Sequence, residues 1–546
     1  MTSEAPGTVL FGGDVRLRRF VTRVGLALGL ATFVWLFPGL DTVGVSWDEP
    51  RYFWSVTRIQ DWIGGVVTGP DRVELLTEES IRETWDWARY WNPHPPAYKI
   101  AMAATEATFG RWTGSIVGFR IASLGCFALL VGMVAWLAGL AWGRVAAVGA
   151  GLSLMFMPRV AGHAHFGATD MPLTLAWFAA TAGLALFVVY GRRRYLVAGS
   201  TALGLALATK FTGWLIPISL VLWLGFFGRS RRGVIGTLIW GCAGLLVAWA
   251  INPLAWHDPI GETTLLFSDS LYREELVPIY TYYMGKVWGF QVPAHHAIVM
   301  TAITVPLPLL VLGTGGFLRV LRALPRQAVG TLAITQIIFF LALMAAPTSP
   351  NHDGIRLFLP MFPYVALLAG CGFAWVWERA SGSKSTDRSL LIGLVLGVLF
   401  FVPPYVQTVR VAPLHLSYYN EVVGGARGAA RAGMEATYWL EAVTPDFLER
   451  VNETLPHGAS LTAHPNTSHY KYLQSYGMLR EDIEVTEDWP PDYLLLVARK
   501  STFRPQDWRI YLNVRPELMV ELEGVELAGL YEWSPDVTPE PDTEEP

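Results

Sequence analysis

Charge is what this chain has least of. Asp, Glu, Lys and Arg make up 16% of its 546 residues, where a soluble domain carries about 25%. With 52% hydrophobic residues and a mean hydropathy of +0.35, that shortage excludes a single soluble globular body and points to a polytopic membrane protein. Cysteine is equally scarce: Cys126, Cys242 and Cys371 all fall in apolar stretches, which predicts small buried hydrophobes and no disulfide framework. No fixed-period repeat and no correspondence between two halves is evident, which disfavours a transporter built from inverted repeats. Nor does a small-residue cleavage site follow the first apolar run, so that run reads as a signal anchor.

What the chain does have is long apolar windows. They lie near 20–40, 115–140, 144–160, 171–190, 195–209, 212–228, 233–251, 296–316, 328–346, 355–378 and 388–408. Basic clusters fall in every second loop between them: Arg16/Arg18/Arg19/Arg23, Arg144, Arg192/Arg193/Arg194, Arg229/Arg231/Arg232, Arg319/Arg322/Arg326 and Lys384/Arg388. Basic residues concentrate on the cytoplasmic side, so this alternation predicts a cytoplasmic segment 1–19 and an odd number of spans, about eleven, over 20–408. Large outer loops are then 41–114 and 252–295. The stretch 97–112 is apolar but carries Lys99, Glu106 and Arg111; as a span it would reverse every later loop, so it reads as a helix at the outer interface. The 23 Trp and 20 Tyr suit interfacial belts. From 409 the composition turns to Asp, Glu, Pro and Tyr with strand-like runs such as 492–498, which predicts an extracytoplasmic α/β domain over 409–533. A disordered acidic tail is expected over 534–546.

The outer loops collect the ionisable groups. Asp48 and Glu49 stand side by side just past the first span, and charge that close to hydrocarbon is a functional-site hypothesis by default. His94 lies in Trp91-Asn92-Pro93-His94-Pro95-Pro96. His163, His165 and Asp170 lie in the next outer loop, Lys210 at the end of a span, and Asn252, His257 and Asp258 at the start of the third. His295, His296, His352, Asp353 and Arg356 follow. Seven of the 11 histidines are in this set, which points to proton transfer or phosphate handling at one face. Plainer readings stand beside each. Ser46 and Glu49 have capping-box spacing, Asp170 could cap the next helix, and Pro95-Pro96 could be a rigid turn. His163 with His165 could bind a metal or simply pack, and Lys210 could snorkel or hold an anionic headgroup beside an Arg356 fork.

The pattern resembles the GT-C type glycosyltransferases that use lipid carriers, in particular the group of protein O-mannosyltransferases and aminoarabinose transferases of lipid A. It rests on Trp47-Asp48-Glu49 after the first span, His94-Pro95-Pro96-Ala97-Tyr98, Thr169-Asp170-Met171-Pro172, Asn252-Pro253 and Asp353-Gly354-Ile355-Arg356, over roughly 15–410. The resemblance implies a multi-pass protein of a bacterial plasma membrane with a GT-C helical domain. It implies transfer of a sugar from a polyprenyl-phosphate donor to an acceptor hydroxyl, with inversion. On the matching residues, Asp48 would be the general base, with Glu49 and Asp170 beside it orienting the acceptor, the sugar or a bound cation. Lys210, Arg356, His94 and Arg51 would face the donor phosphate, and His163, His165, Asn252 and Asp353 the substrates. Where aminoarabinose transferases carry a lysine before the Pro-Pro pair, this chain has His94. The expected partners are the lipid-linked donor, a protein, lipid or glycan acceptor and the bilayer, with no nucleic acid; no cofactor is fixed, and a divalent cation stays open. No nucleotide-sugar motif is evident, so another protein would charge the carrier. The alternatives are a transporter or flippase of a lipid-linked sugar, and a scaffold whose C-terminal domain binds an envelope partner.

Overall fold

A computed structural model describes residues 15–533 except 88, 90, 274–276, 290 and 383–385. Lys384, most of the segment 1–19 and the acidic tail 534–546 lie outside the described residues. The chain is mostly helical. Among the described residues, seven helices are long and apolar enough to cross a membrane: Val15–Leu40, Ser115–Trp142, Asp170–Tyr190, Arg231–Ile251, Ala328–Ala345, Arg356–Ser381 and Arg388–Arg410. The remaining windows fall on shorter helices, Arg144–Met155, Arg193–Leu207, Phe211–Phe227 and Leu307–Leu321.

We label α1 Val15–Leu36, α2 Glu49–Thr68, α3 Ala97–Thr113, α4 Ser115–Trp142, α5 Arg144–Met155, α6 Asp170–Tyr190 and α7 Arg193–Leu207. They are followed by α8 Arg231–Ile251, α9 Leu307–Leu321, α10 Ala328–Ala345, α11 Phe362–Ser381 and α12 Thr386–Arg410. The centre of the bundle is α4, α6 and α11, apolar on every side and packed into one core with Trp177, Phe178, Leu367 and Phe373. Apolar side chains on α8 and α12, such as Leu238, Leu246, Leu390 and Leu394, point outward, as they do only where the solvent is lipid. Helices approach closely through small residues: a Cβ on Gly316 would collide with the Leu368 carbonyl, and one on Gly372 with that of Leu312, which locks α9 against α11. Cys242 on α8 is exposed on this outer surface, against the expectation that all three cysteines are buried.

The segment 97–112 does form a helix, α3, which leans on α2 and α4 and buries Lys99. Beyond α12 the chain stays woven into the bundle. Asn420 donates to the carbonyls of Ala302 and Val305, and Trp439 joins a core with Tyr52 and Phe53 of α2. A five-stranded sheet follows, with β1 Ser460–His464, β2 Glu484–Val485, β3 Tyr493–Val497, β4 Leu518–Leu522 and β5 Val525–Glu532. Its order is β2-β1-β3-β5-β4, parallel across β2-β1-β3 and antiparallel from β3 onward. The run of Leu494, Leu495, Leu496 and Val497 on the central β3 is buried on both faces, as a near-continuous apolar strand should be.

Candidate active site

The site assembles where the first ends of α2 and α6 meet the turn before α11. Asp353 and Gly354 both take left-handed backbone, φ +58° and +63°. Asp tolerates that region. At Gly354 a Cβ would stand 2.9 Å from the Arg159 guanidinium and the Tyr438 ring, so this turn requires glycine on two counts. The turn aims Arg356 at three carboxylates. Its Nη2 donates to Asp48 Oδ2 (2.5 Å), its Nε to Asp170 Oδ2 (2.9 Å) and its Nη1 to Asp353 Oδ2 (2.9 Å). The guanidinium also lies over the Trp439 ring, 4.1 Å from its centroid, and the Trp439 indole N–H donates to Asp48 Oδ2 at 3.1 Å. Among the described residues the second oxygen of Asp48 accepts no hydrogen bond, and its side chain keeps 22% exposure in an otherwise buried cluster.

Asp170 is shared. Its Oδ1 accepts from Lys210 Nζ at 2.8 Å, so α6 and the end of α7 are tied at the same point. Lys210 has three donors and spends one there. His94 sits beside it, 6.4 Å ring to ring from Tyr52, on a loop anchored by the Ala97 N–H to the Ala208 carbonyl (2.7 Å). Burial, followed by the charges of Lys210 and Arg356, pushes His94 well below its ordinary range, so the ring is neutral at pH 7. Next to this corner runs a cavity of about 340 Å³ lined by Pro95, Ala208, Trp214, Trp249, Asn252 and Leu266. Burial raises Asp353, but Arg499, followed by His352 and Arg356, brings it below the usual carboxylate range.

Glu49 stands apart from Asp48. Its side chain is fully buried and faces Arg120, itself 1% exposed, through two bonds of 2.8 Å. It also accepts from the N–H groups of Gly167 and Ser46, both at 2.8 Å, so both oxygens are saturated. Arg120 spends its other donors on the carbonyls of Leu40, Val43 and Gly44. Half of the capping box therefore exists, from Glu49 to Ser46, and the pair pins the first outer loop to α4. Arg51 also points elsewhere, stacked 4.7 Å over Trp91. His163 packs 5.6 Å from Trp439, near the cluster, while His165 stacks on His415 at 5.2 Å. Burial pushes His163 to about 3, and His165 and His352 each to about 4. Burial thus keeps these three rings uncharged near neutral pH. His257 bonds the Leu76 carbonyl and Asp258 caps the helix that follows it, so neither reaches the cluster, and Asn252 lines the cavity instead.

Sequence reading missed four arginine or tryptophan contributors. Arg120 and Arg159 sit inside apolar windows, where any arginine is a flag. Arg159 donates to the Tyr418 carbonyl at 2.8 Å and lies 4.2 Å over Tyr419, behind the Asp353-Gly354 turn. Trp439 and Arg499 come from beyond α12 and carry no local signal. Arg499 Nη2 donates to Asp353 Oδ1 at 3.1 Å. Among the described residues, no three His, Cys, Asp or Glu side chains are grouped to hold a metal ion. The positive charge at the centre of the three aspartates is Arg356.

Residues 93–257 match the family described as dolichyl-phosphate-mannose-protein mannosyltransferase. No individual curated protein matches. Among solved structures, the archaeal oligosaccharyltransferase AglB from Archaeoglobus fulgidus, in complex with an inhibitory peptide and a dolichol-phosphate, is 11% identical with a TM-score of 0.50. The alignment covers 89% of this chain and 71% of that one. ArnT from Cupriavidus metallidurans bound to undecaprenyl phosphate gives 14% identity and a TM-score of 0.47, over 93% of this chain and 97% of that one. The chain is thus a multi-pass membrane protein with the GT-C glycosyltransferase fold, and its residues 93–257 carry the pattern of the dolichyl-phosphate-mannose-protein mannosyltransferase family.

Proposed function

We propose that this protein is an inverting glycosyltransferase that moves a sugar from a polyprenyl-phosphate donor to an acceptor hydroxyl on the extracytoplasmic face of a bacterial plasma membrane. The observation that carries the reading is Asp48: one oxygen is held by Arg356 and Trp439 while the other is left at a partly open edge of a cationic cluster. The acceptor oxygen attacks the anomeric carbon from the side opposite the phosphate, and its proton passes to the open oxygen of Asp48. The bond from the anomeric carbon to the phosphate oxygen breaks, and polyprenyl phosphate leaves with the electron pair. Lys210, Arg356 and neutral His94 lie where that charge develops, which is where donors lower a barrier most. The cavity walled by Pro95, Trp214 and Trp249 suits the first isoprene units, because its lining is mainly apolar and includes Pro95 and Ala208, close in the chain to His94 and Lys210. Asp170 orients Lys210 and Arg356. Glu49 holds the loop that carries Asp48. A bilayer crossing by the donor itself would call for ionisable groups near the middle of α4, α6, α10 or α11. Among the described residues, those stretches carry no Asp, Glu, Lys, Arg or His.

The test is sugar transfer in proteoliposomes from a panel of labelled polyprenyl-phosphate sugars to host envelope acceptors, wild type against Asp48→Asn. A general base is worth about 10²–10⁴-fold, so transfer should fall by that factor while donor binding persists. Equal rates in the two proteins would place the chemistry elsewhere.

A further inference from the structure

The end of the bundle opposite Asp48 holds a second cavity, of about 750 Å³, bounded by the start of α1, the later halves of α4 and α6, and the start of α7. Asp170 opens α6, and the cavity first meets that helix at Ala179, a distance of ~14 Å at the rise of an α-helix. Two kinds of wall meet there. Arg18, Arg19 and Arg23 from α1 face Arg192 and Arg194 from the turn into α7. Deeper in, the floor is Met133, Trp136, Leu140 and Leu186. Among the described residues, no acidic side chain lines it. Arg194 is occupied by Tyr195, donating to its hydroxyl at 3.0 Å and lying 4.8 Å over its ring. Arg18, Arg19, Arg23 and Arg192 make no ion pair among the described residues.

Basic residues at helix ends are expected from topology alone. Topology does not require that they converge on a cleft between helices whose inner wall is apolar. A free anion would find charge there but no use for Trp136 and Met133, whereas a zwitterionic lipid would find the apolar wall but gain little from five guanidinium groups. We propose that this cleft is a binding site for an anionic diacyl phospholipid, its phosphate held by the arginines of α1 and α7 and an acyl chain laid along α4 and α6. The bound lipid would bridge α1 to the α6–α7 corner. This assignment does not depend on the proposed transfer activity.

Trp136 lies in the cleft and reports its occupant. The full-length protein is reconstituted in nanodiscs of phosphatidylcholine containing graded amounts of phosphatidylglycerol brominated on its acyl chains. Quenching of Trp136 is taken as the difference between wild type and Trp136→Phe. Quenching should be far stronger than with brominated phosphatidylcholine at equal mole fraction. In the triple variant R18Q/R19Q/R23Q the preference should fall roughly a hundredfold, since a juxtamembrane basic residue contributes on the order of 1 kcal/mol. R192Q/R194Q, on a different helix, should weaken it as well, which keeps the test decisive if the triple variant fails to fold. R322Q/R326Q removes charge at the same end of the bundle, where Trp142 of α4 donates to Gln327, but outside the cleft, and should leave the preference intact. Equal quenching by the zwitterionic lipid would overturn the proposal. So would loss of preference in R322Q/R326Q, which would mean diffuse surface charge. Displacement of the brominated lipid by millimolar inorganic phosphate would also overturn it, since that describes an anion site without acyl recognition.

Discussion

Replacing Arg499 by alanine should slow catalysis from a position that touches no substrate. Arg499 follows the central strand β3 and reaches back to Asp353 Oδ1 at 3.1 Å, with 8% and 5% of the two side chains exposed. Asp353 in turn holds Arg356 Nη1, and Arg356 holds Asp48. Breaking a buried pair costs about 3–5 kcal/mol when a charge is orphaned. Here Asp353 keeps Arg356, so the loss is one hydrogen bond between charged groups, about 1.5–3 kcal/mol. If that loss is felt as freedom of Arg356 and Asp48 in the transition state, kcat falls roughly 10- to 150-fold, at 1.36 kcal/mol per tenfold. The donor dissociation constant should move little, because Arg499 lies behind the turn. The assay is steady-state transfer in proteoliposomes together with donor binding, and Arg499→Lys should restore part of the rate. A folded Arg499→Ala protein with wild-type kcat would refute the coupling and reduce the sheet unit to a passenger.

Two further outcomes separate structure from chemistry. Glu49→Gln should cost about 3–5 kcal/mol of stability by leaving Arg120 buried against a neutral amide, seen as a lower melting temperature in detergent. An unchanged melting temperature with lost transfer would instead make Glu49 a reacting group. Burial raises Glu435 to about 7 from an ordinary 4.5, so the folded protein binds a proton there more tightly than the unfolded chain. That contribution to stability is full below about pH 4.5 and disappears as pH rises through about 7. Glu435→Gln should therefore flatten the melting temperature over that interval; an unaltered pH profile would contradict the assignment.

How much of this was legible beforehand follows from range. Asp48, Asp170, Lys210 and Arg356 were each conspicuous alone, because a charge beside a span or an arginine in an Asp-Gly turn violates a local rule. Their meeting was not legible. Asp48 and Arg356 are 308 positions apart, and a pattern along a chain carries no term for a contact at that separation. Glu49 looked like the twin of Asp48 because adjacency was the signal. One residue further into a helix rotates a side chain by about 100°, enough to send it to Arg120 instead of Arg356. For His163, His165 and His352 residue type gives an ordinary titration range, and only packing says that water is gone.

The sequence by itself determined that this is a membrane protein with its ionisable groups gathered beside its spans, because a bilayer tests every residue against one medium and the answer is written in composition and period. The membrane helices and the site-bearing loops could be read for that reason. Only the tertiary structure decided which carboxylate is free and which is bound, that Trp439 and Arg499 from beyond α12 complete the cluster, and that arginines at the far end enclose a cleft. Those are properties of distances between remote segments, and such distances are set by how helices pack.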